Sequence, residues 1–308
     1  MPSPSHIDLR HLRYFLAVYE ELHFGRAAER LHIAQPPLSQ AIRKLEHELG
    51  VTLFERTSRA VKPTPPGEAL AEEAHKVLAS FNFAVSEARR AGNHDAPLRI
   101  GCAGMLPTVR LQRFVGELKR RDASLRTEVV RLWAVDQIER LRGGLLDLGV
   151  FIRVDDHPDL EYEPLFRGEP VHVFLPSGHA LADKTVVTPD DLVGEMRISF
   201  PRTISPAYQD QFAGLLDSLG YRFAGRHEIS STDPRDALLA VAGGLGVVFG
   251  GPSLRELGDE ARDLIVRPLD PPLQLPETVV AWRASAPRGL RSSLGAVRDV
   301  ARTVCAET

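Results

Sequence analysis

The sequence predicts an α/β protein in three parts: a compact helical head at the amino terminus, one long helix, and a two-lobed α/β region. In residues 26–56 apolar side chains recur at helical spacing on both sides of a short break, which indicates two helices joined by a turn. The same spacing runs without a break from residue 65 to about residue 90. From Pro97 onward, short apolar runs alternate with helical segments, a pattern that is typical of an α/β domain.

Length and charge limit the function classes that this chain can serve. The chain has 308 residues, of which 43% are hydrophobic, which suits roughly two domains with ordinary cores. The formal net charge is −3, and residues 1–65 carry nine Lys or Arg against seven Asp or Glu. The molecule is therefore not a general polyanion binder, and any contact with DNA must come from a local patch.

Cysteine usage and the lack of long apolar segments predict a cytoplasmic protein. Cys102 and Cys305 alone do not make a disulfide framework, which fits a reducing compartment. The first twelve residues lack the apolar core of a signal peptide. No segment reaches the run of about 18 apolar residues that a membrane-spanning helix needs, so we expect no membrane span.

The head is predicted to contain three helices and a hairpin. The helices are expected over residues 8–22, over residues 25–31, and from Pro36 or Pro37 to a cap at Gly50. Two short extended pieces follow at residues 51–54 and 61–63, and they form a hairpin wing. In the third helix an apolar stripe leaves polar side chains near the amino-terminal end free to reach base edges in a major groove, and these are Pro36, Ser39, Gln40 and Arg43.

The long helix is predicted to begin at Thr64, a suitable N-cap that is followed by Pro65. Apolar residues repeat along it at spacings of three and four, and it leads from the small head into a polar break. One interpretation is an amphipathic helix that packs on its own domain. We favour a helix that pairs with the same helix of a second subunit.

The remainder is predicted to form two α/β units with mostly parallel sheets. Apolar runs at residues 171–176 and 278–284 are expected to cross between them, which would make a hinged clamp around a cleft. The expected strands are 98–102, 125–131, 147–152, 197–200, 226–230 and 246–249, and the expected helices are 107–121, 135–142, 206–219, 234–242 and 287–305.

Several motifs together make the chain resemble the LysR-type transcriptional regulators. The specific matches are Leu12-Arg13-Tyr14-Phe15, Ala27-Ala28, Gln35-Pro36-Pro37-Leu38-Ser39, Leu45-Glu46, Leu49-Gly50, Leu53-Phe54-Glu55-Arg56 and Thr64-Pro65-Pro66-Gly67. Weaker matches continue at Leu146–Gly149 and Val241–Gly246. The pair Pro36-Pro37 and the stretch Ser199–Arg202 are similar to the branch that answers benzoate, muconate and other acids of aromatic catabolism.

The resemblance implies an architecture and a set of partners. It implies a winged helix-turn-helix over residues 1–65, a dimerising linker helix over 66–92, and an effector-binding domain over 93–308 that is like a periplasmic binding protein. Its two subdomains are expected at 93–168 plus 270–308, and at 169–269. The expected partners are double-stranded promoter DNA, a small organic acid of aromatic character, RNA polymerase, and further copies of the chain in a homotetramer; no cofactor is expected.

For DNA, the resemblance carries over to eight residues. Those that match groove-facing positions are Gln35, Pro36, Pro37, Ser39, Gln40 and Arg43, while Arg56 and Arg59 lie in the wing. Gln can pair with adenine through two hydrogen bonds, and an arginine in the wing holds register more than it reads sequence. For Arg43 and Arg56 the alternative is a solvated surface charge, or a pair with Glu46 or Glu55.

For the effector, the resemblance points to three segments, at residues 103–106, near Trp133 and Ala134, and at residues 201–204, and in addition to Arg153 at the end of a predicted strand. The candidates are Ala103, Gly104, Met105, Arg153, Pro201, Arg202 and Thr203. An arginine presents a planar fork that suits a carboxylate. For Arg153 the alternative is a salt bridge with Asp155 or Asp156. Many relatives carry hydroxyl residues near the first two segments, where this chain has Met105 and Trp133, so we expect a ligand more apolar than a small dicarboxylate. For Trp133 the alternative is a side chain that fills the core.

Two other functions remain open from the sequence. An enzyme on an α/β scaffold is one, but the chain has no GxSxG, HExxH or phosphate-binding loop motif. The glycine-rich run at residues 243–246 precedes a predicted strand, so we interpret it as a turn and not as a nucleotide site. The other alternative is a small-molecule-binding protein without regulatory output. We expect a non-enzymatic, ligand-responsive regulator of transcription.

Overall fold

The computed structural model describes residues 7–56, 61–91, 97–106, 108–231, 233–286 and 288–306. Its internal contacts divide the chain into two compact units. One comprises the residues up to Arg89 together with Arg142–Gly144, and the other comprises the remaining residues. Each unit has its own apolar cores.

The amino-terminal unit contains three helices, a two-stranded wing and a long helix. Asp8 caps the first helix, because its Oδ1 accepts hydrogen bonds from the backbone N–H groups of Arg10 (2.9 Å) and His11 (3.1 Å). Gly50 ends the third helix at a φ of 69°, a left-handed conformation that favours glycine. The elements are α1 (Leu9–Glu21), α2 (Phe24–Arg30), α3 (Gln35–Leu49), the antiparallel strands β1 (Phe54–Arg56) and β2 (Val61–Pro63), and α4 (Pro65–Ala91).

This unit confirms the predicted winged helix-turn-helix, with two local differences. α3 begins at Gln35, one residue before Pro36, because Ala34 has the extended backbone of an N-cap residue. β1 begins only at Phe54, because the N–H of Leu53 donates to Glu46 Oε1 (2.9 Å) and holds the preceding residues against α3. The ring of Phe54 lies 5.3 Å from that of Phe15, so the wing is anchored in the core under the helices.

The second unit has a first lobe built on a five-stranded sheet in the order β4-β3-β5-β12-β6. Its strands are β3 (Leu98–Cys102), β4 (Thr127–Arg131), β5 (Leu148–Ile152), β6 (Leu160–Phe166) and β12 (Thr278–Arg283), and its helices are α5 (Thr108–Arg121), α6 (Ala134–Arg142) and α9 (Arg288–Ala306). β4, β3 and β5 are parallel, whereas β12 runs antiparallel to both of its neighbours. Trp282 of β12 is almost fully buried in the core beneath α5 and α9.

The second lobe combines an antiparallel and a parallel set of strands. Its strands are β7 (His172–Leu175), β8 (Met196–Ser199), β9 (Gly225–Glu228), β10 (Val248–Gly250) and β11 (Ile265–Pro268), and its longer helices are α7 (Pro206–Ser218) and α8 (Pro234–Ala242). β10 and β11 flank β7 antiparallel, and β8 pairs with β9 in parallel. The N–H of Ile198 donates to the carbonyl of Val247 (2.8 Å), which joins the two sets.

Two expectations about these sheets are wrong. The sheets are mixed and not mostly parallel, because β12 and the central β7 run antiparallel to their neighbours. The runs at 171–176 and 278–284 do not cross between lobes, since they supply buried strands, β7 and β12, inside the two sheets. The crossing is made by the connector, which we define as residues 167–171 and 273–277. Its two segments are hydrogen-bonded from Leu275 N–H to the Glu169 carbonyl (2.8 Å) and from Val171 N–H to the Leu273 carbonyl (2.7 Å).

Candidate functional site

The amino-terminal end of α3 forms an exposed surface, which we call the α3 tip (residues 35–43). Leu38 and Ile42 are fully buried and fix the opposite side of the helix against the core. Of the six predicted groove-facing residues, Ser39 is half-buried and the others are exposed, namely Gln35, Pro36, Pro37, Gln40 and Arg43. The structure therefore places all six on one accessible end of a helix whose position is set by packing.

Arg43 is held in place but not neutralised. Its Nη2 donates to Ser39 Oγ at 3.1 Å, and among the described residues no carboxylate forms an ion pair with it. The start of α3 adds to the positive character of this end, because Ala34 provides no side-chain acceptor for the first turn. Pro36 and Pro37 lack an N–H, so of the four N–H groups that a helix start leaves without internal partners two are absent. This end of the helix therefore offers side chains, more than backbone amides, for contact with a ligand.

Arg56 is engaged within the protein. Its Nη2 lies 2.7 Å from Glu46 Oε2, and its guanidinium lies 4.8 Å from the centre of the Phe24 ring. This is the alternative that the sequence left open for Arg56, and it ties the wing to α3. Arg59 lies outside the described residues.

A polar network connects α4 to the helices before it. Glu20 of α1 pairs with Arg30 of α2 (2.5 Å) and lies 3.3 Å from His75 Nε2 of α4. Partial burial opposes ionisation of Glu20, but the hydrogen bond with His75 and the charge of Arg30 outweigh it and lower the pKa of that carboxyl. The network keeps the long helix in register with the helix pair that presents the α3 tip.

In the second unit, two hollows lie on either side of the loop at residues 103–106. The first, which we call the small cavity, has a volume of about 60 Å³. The second, which we call the large cleft, has a volume of about 610 Å³. The small cavity has an apolar lining that includes Met105 and Ile152, and charged or polar side chains at Arg110, Arg167, Glu169, Tyr208 and Ser253.

The polar groups of the small cavity differ in their partners. Glu169 forms an ion pair with Arg110 and accepts a hydrogen bond from Ser253 Oγ at 2.6 Å. Arg167 is exposed, and among the described residues no carboxylate pairs with it. Burial raises the pKa of Tyr208 to about 12, so its hydroxyl is a neutral hydrogen-bond donor at physiological pH. The cavity therefore offers an available cation and a neutral donor beside apolar side chains.

The large cleft has charges of both signs. Arg131 donates from Nη1 to the carbonyls of Gly104 and Leu106, both at 3.1 Å, which fixes the loop between the two hollows. Across the cleft, Arg235 pairs with Asp233, the N-cap of α8. The Trp133 ring packs 5.2 Å from Phe200, as expected for a side chain that contributes to a core.

The structure brings together only part of the predicted effector residues. Ala103 and Met105 line the small cavity, and Gly104 lines the large cleft. Arg153 and Arg202 line neither hollow. Arg153 pairs with Asp156 (Nε to Oδ1, 2.9 Å), the alternative left open by the sequence, and it covers the Tyr162 ring at 4.6 Å.

The remaining predicted residues lie in the second lobe. Arg202 pairs with Asp210 of α7, with Nε 2.8 Å from Oδ1. Pro201 precedes a short 3-10 helix, and Thr203 lies within that helix. The structure describes the backbone of Thr203 but not its side chain. Arg153 and Arg202 are thus turned toward carboxylates of their own neighbourhood, and their role in effector binding stays a prediction.

Sequence reasoning missed the residues that give the small cavity its chemistry. Arg167 and Glu169 follow β6, a strand that the sequence pattern did not reveal, and Ser253 lies in a short 3-10 helix at Pro252–Leu257. The local sequence Arg167-Gly168-Glu169, which lies between two apolar runs, could have indicated a charged site at this position.

Within the described ranges, no group of His, Cys, Asp and Glu is arranged to hold a metal ion, and no helix is both long and apolar enough to cross a bilayer.

Comparison with known proteins decides the family. The model of the LysR substrate binding domain matches residues 91–306, and the model of the bacterial regulatory helix-turn-helix protein of the lysR family matches residues 9–68. The chain belongs to the LysR family. It is therefore a DNA-binding, ligand-responsive transcriptional regulator and not an enzyme, as the sequence predicted.

Individual members of the LysR family are similar over most of their length. The regulator AlsR of Bacillus subtilis is 33% identical over 282 residues, which is 90% of this chain and 90% of AlsR. The regulator BenM of Acinetobacter baylyi is 34% identical over 245 residues, 79% of this chain and 80% of BenM. The structure of a full-length OxyR variant from Pseudomonas aeruginosa has a TM-score of 0.56 and 29% identity, and the match covers 96% of this chain and 100% of that one. These matches confirm the predicted fold, a winged helix-turn-helix and linker helix followed by a two-lobed α/β domain.

Proposed function

We propose that this LysR-family regulator responds to a small organic acid of aromatic character, which binds in the small cavity. The observation that supports this proposal is the lining of the cavity. Arg167, which has no ion pair among the described residues, lines the same cavity as the apolar Met105 and Ile152 and as Tyr208. Arginine suits a carboxylate because it can donate two parallel hydrogen bonds to it. An aromatic ring suits the apolar lining.

The size of the small cavity links binding to regulation. Sites for small molecules usually measure about 300–1,000 Å³, whereas this cavity has about 60 Å³. An aromatic acid therefore requires the lobes to move apart around the connector. A ligand that binds only the opened arrangement has different affinities for the two states, which is the condition for a shift in their populations.

The output of this shift is promoter binding through the α3 tip. We propose that Gln35 and Arg43 contact base edges, that the rings of Pro36 and Pro37 contact thymine methyl groups, and that Ser39 and Gln40 complete the reading surface. Arg56 and Arg59 of the wing are proposed to contact the DNA backbone. Support for this arrangement comes from the exposure of the tip and from the family match over residues 9–68.

We further propose that two copies pair through α4. Val77 and Phe81 are one turn apart on this helix, and their exposed fractions are 46% and 41%. Apolar side chains at this spacing suit a two-stranded helix pair. Assembly of two such dimers into a tetramer, contact with RNA polymerase, and action in the cytoplasm complete the proposal.

Thermal unfolding of the full chain tests the effector class. The melting temperature is measured with benzoate, with acetate as a small acid that lacks the ring, and with benzylamine and glucose as matched non-acids. A ligand at about 100 times its Kd stabilises the state that it binds by about 2.7 kcal/mol. We expect benzoate to raise the melting temperature most and acetate less. Stabilisation by benzylamine or glucose alone contradicts the acid class.

A further inference from the structure

Glu169 connects three parts of the second unit through one carboxylate. It lies on the connector between the lobes. Its Oε1 pairs with Arg110 of α5 in the first lobe, and its Oε2 accepts from Ser253 of the second lobe, with the Oγ at 2.6 Å and the N–H at 3.3 Å. The guanidinium of Arg110 also lies 5.4 Å from the centre of the Phe166 ring, the last residue of β6. Each lobe is therefore bonded to the same side chain.

The carboxylate of Glu169 and the connector segments approach the neighbouring backbone closely. A Cβ added to Gly251 would lie 1.8 Å from Glu169 Oε2, and a Cβ added to Gly168 would lie 1.8 Å from the Leu275 carbonyl oxygen. The carboxylate is thus packed against the backbone of the second lobe, and the connector segments are packed against each other. A change in the angle between the lobes must alter the contacts of Glu169.

We infer that Glu169 is a latch that holds the lobes in the resting arrangement, and that an acid bound in the small cavity opens it by pairing with Arg110. The inference rests on the proposed function for the chemical class of the ligand. Arg110, Glu169 and Ser253 all line the small cavity, so a bound carboxylate comes within reach of the latch itself.

Charge explains why the ligand and the latch compete. The cavity is lined by two guanidinium groups, of Arg110 and Arg167, and by one carboxylate, of Glu169. A second carboxylate makes the set neutral, with one cation available for each anion. It also places like charges close together, which favours separation of the ligand from Glu169. A ligand carboxylate that binds both arginines shares Arg110 with Glu169 and weakens that ion pair, while Glu169 keeps its hydrogen bonds to Ser253.

Hydrogen exchange of the full chain, measured by mass spectrometry, tests the latch. The reporter is a peptide that covers residues 250–254, since the Ser253 N–H donates to Glu169. The variant is Glu169→Gln, which keeps the shape of the side chain but cannot form the ion pair. The matched control is Glu163→Gln, which breaks a Glu–Arg pair with Arg302 (2.8 Å) on the outer side of the first lobe. Ser253→Ala, which removes the hydroxyl donor to Glu169 and keeps the backbone N–H of residue 253, is the second variant.

We expect exchange in residues 250–254 to be about tenfold faster in Glu169→Gln and Ser253→Ala than in the wild type, with Glu163→Gln unchanged. Benzoate should accelerate the same peptide in the wild type and add nothing in Glu169→Gln. Unchanged protection in both latch variants overturns the inference, even if benzoate stabilises the protein. Faster exchange in these variants without any effect of benzoate retains the latch and rejects the proposed acid.

Discussion

The α3 tip and the small cavity, which we propose as the two recognition sites, are built in opposite ways. The tip is made by residues within nine positions of one helix, and its geometry is set by a packed core. The small cavity takes its residues from Ala103 to Thr278, across both lobes and the connector. A surface on one helix keeps its shape when its domain moves as a body, whereas a cavity between lobes changes with the angle between them.

The two regions also differ in how their cations are paired. Arg43 of the tip has no ion pair among the described residues, so DNA can bind it without breaking an ion pair inside the protein. Arg110 of the cavity is paired with Glu169 before any ligand arrives. Binding at the tip is therefore a matter of affinity, while binding in the cavity includes a cost of rearrangement. That cost is what allows a ligand to change the state of the protein.

The largest effect is expected at the tip, from the double variant Gln35→Ala with Arg43→Ala. A good base contact contributes about 1–3 kcal/mol of discrimination, so the affinity for a promoter fragment from the protein's own locus should fall about 100-fold or more. Gel retardation at low salt measures the loss. Lys44→Ala is the matched control, since Lys44 lies on the same helix and pairs with Glu48 (3.7 Å). If Lys44→Ala loses as much affinity for the promoter fragment as the double variant, the tip contacts DNA only through its general positive charge and does not read bases.

The next effect concerns the buried contact between α6 and the sheet of the first lobe, at Gln137. This side chain is fully buried; its amide donates to the Leu132 carbonyl (2.9 Å) and its Oε1 accepts from the Val150 N–H (2.9 Å). Gln137→Leu keeps the volume but leaves buried backbone groups unpaired, which costs about 2–4 kcal/mol of the free energy of unfolding. Urea unfolding followed by tryptophan fluorescence reports on this unit alone, because both tryptophans, Trp133 and Trp282, lie in it.

The control for that change is Gln112→Leu, at an exposed position of α5. It should alter the unfolding free energy by less than about 0.5 kcal/mol. A similar loss in both variants would show that the polar contacts of Gln137 contribute little. Promoter binding of the folded Gln137→Leu protein should stay near that of the wild type, in contrast to the tip variants.

The comparison also explains what could be predicted from the sequence. Local patterns revealed the tip, because Leu38 and Ile42 mark the buried side of one helix and the remaining positions follow from helical geometry. The same reasoning gave the bounds of α8 and the cap at Gly50. These features depend on residues a few positions apart, and the structure confirms them.

The residues of the small cavity depend on contacts between distant parts of the chain. Arg110 and Glu169 are 59 positions apart, and nothing in the spacing of either one indicates the other. The connector was placed wrongly for a related reason: the apolar runs of β7 and β12 mark burial in a sheet, and burial does not reveal which segment crosses between sheets. Arg153 and Arg202 were sound candidates by residue type. In the structure, however, each forms an ion pair with a nearby carboxylate, Asp156 three positions away and Asp210 eight positions away.

A third prediction compares these arginines directly. Arg167→Gln should weaken the binding of benzoate about tenfold or more, since a hydrogen bond to a charged group contributes about 1.5–3 kcal/mol. Arg153→Gln and Arg202→Gln should change it less than threefold, because each arginine already pairs with Asp156 or Asp210. Isothermal titration of the full chain measures the three affinities. The reverse order would favour the effector site predicted from the sequence.

The smallest effect probes how dry the core of the first lobe is beside the small cavity, and it concerns Cys102, the residue before the cavity-lining Ala103. This thiol is fully buried at the end of β3, and burial raises its pKa from 9.0 to about 11. Since the folded state then keeps a proton that the unfolded chain loses, stability is fully present below pH 9 and falls as the pH rises toward 11. At pH 9.5 the loss from this group is under about 1 kcal/mol. Cys102→Ala should flatten the fall in unfolding free energy between pH 8 and pH 9.5, whereas Cys305→Ala should keep it. If both variants fall as steeply as the wild type, water reaches the core around Cys102, and the contrast between a wet tip and a cavity on a dry core is weaker than the packing indicates.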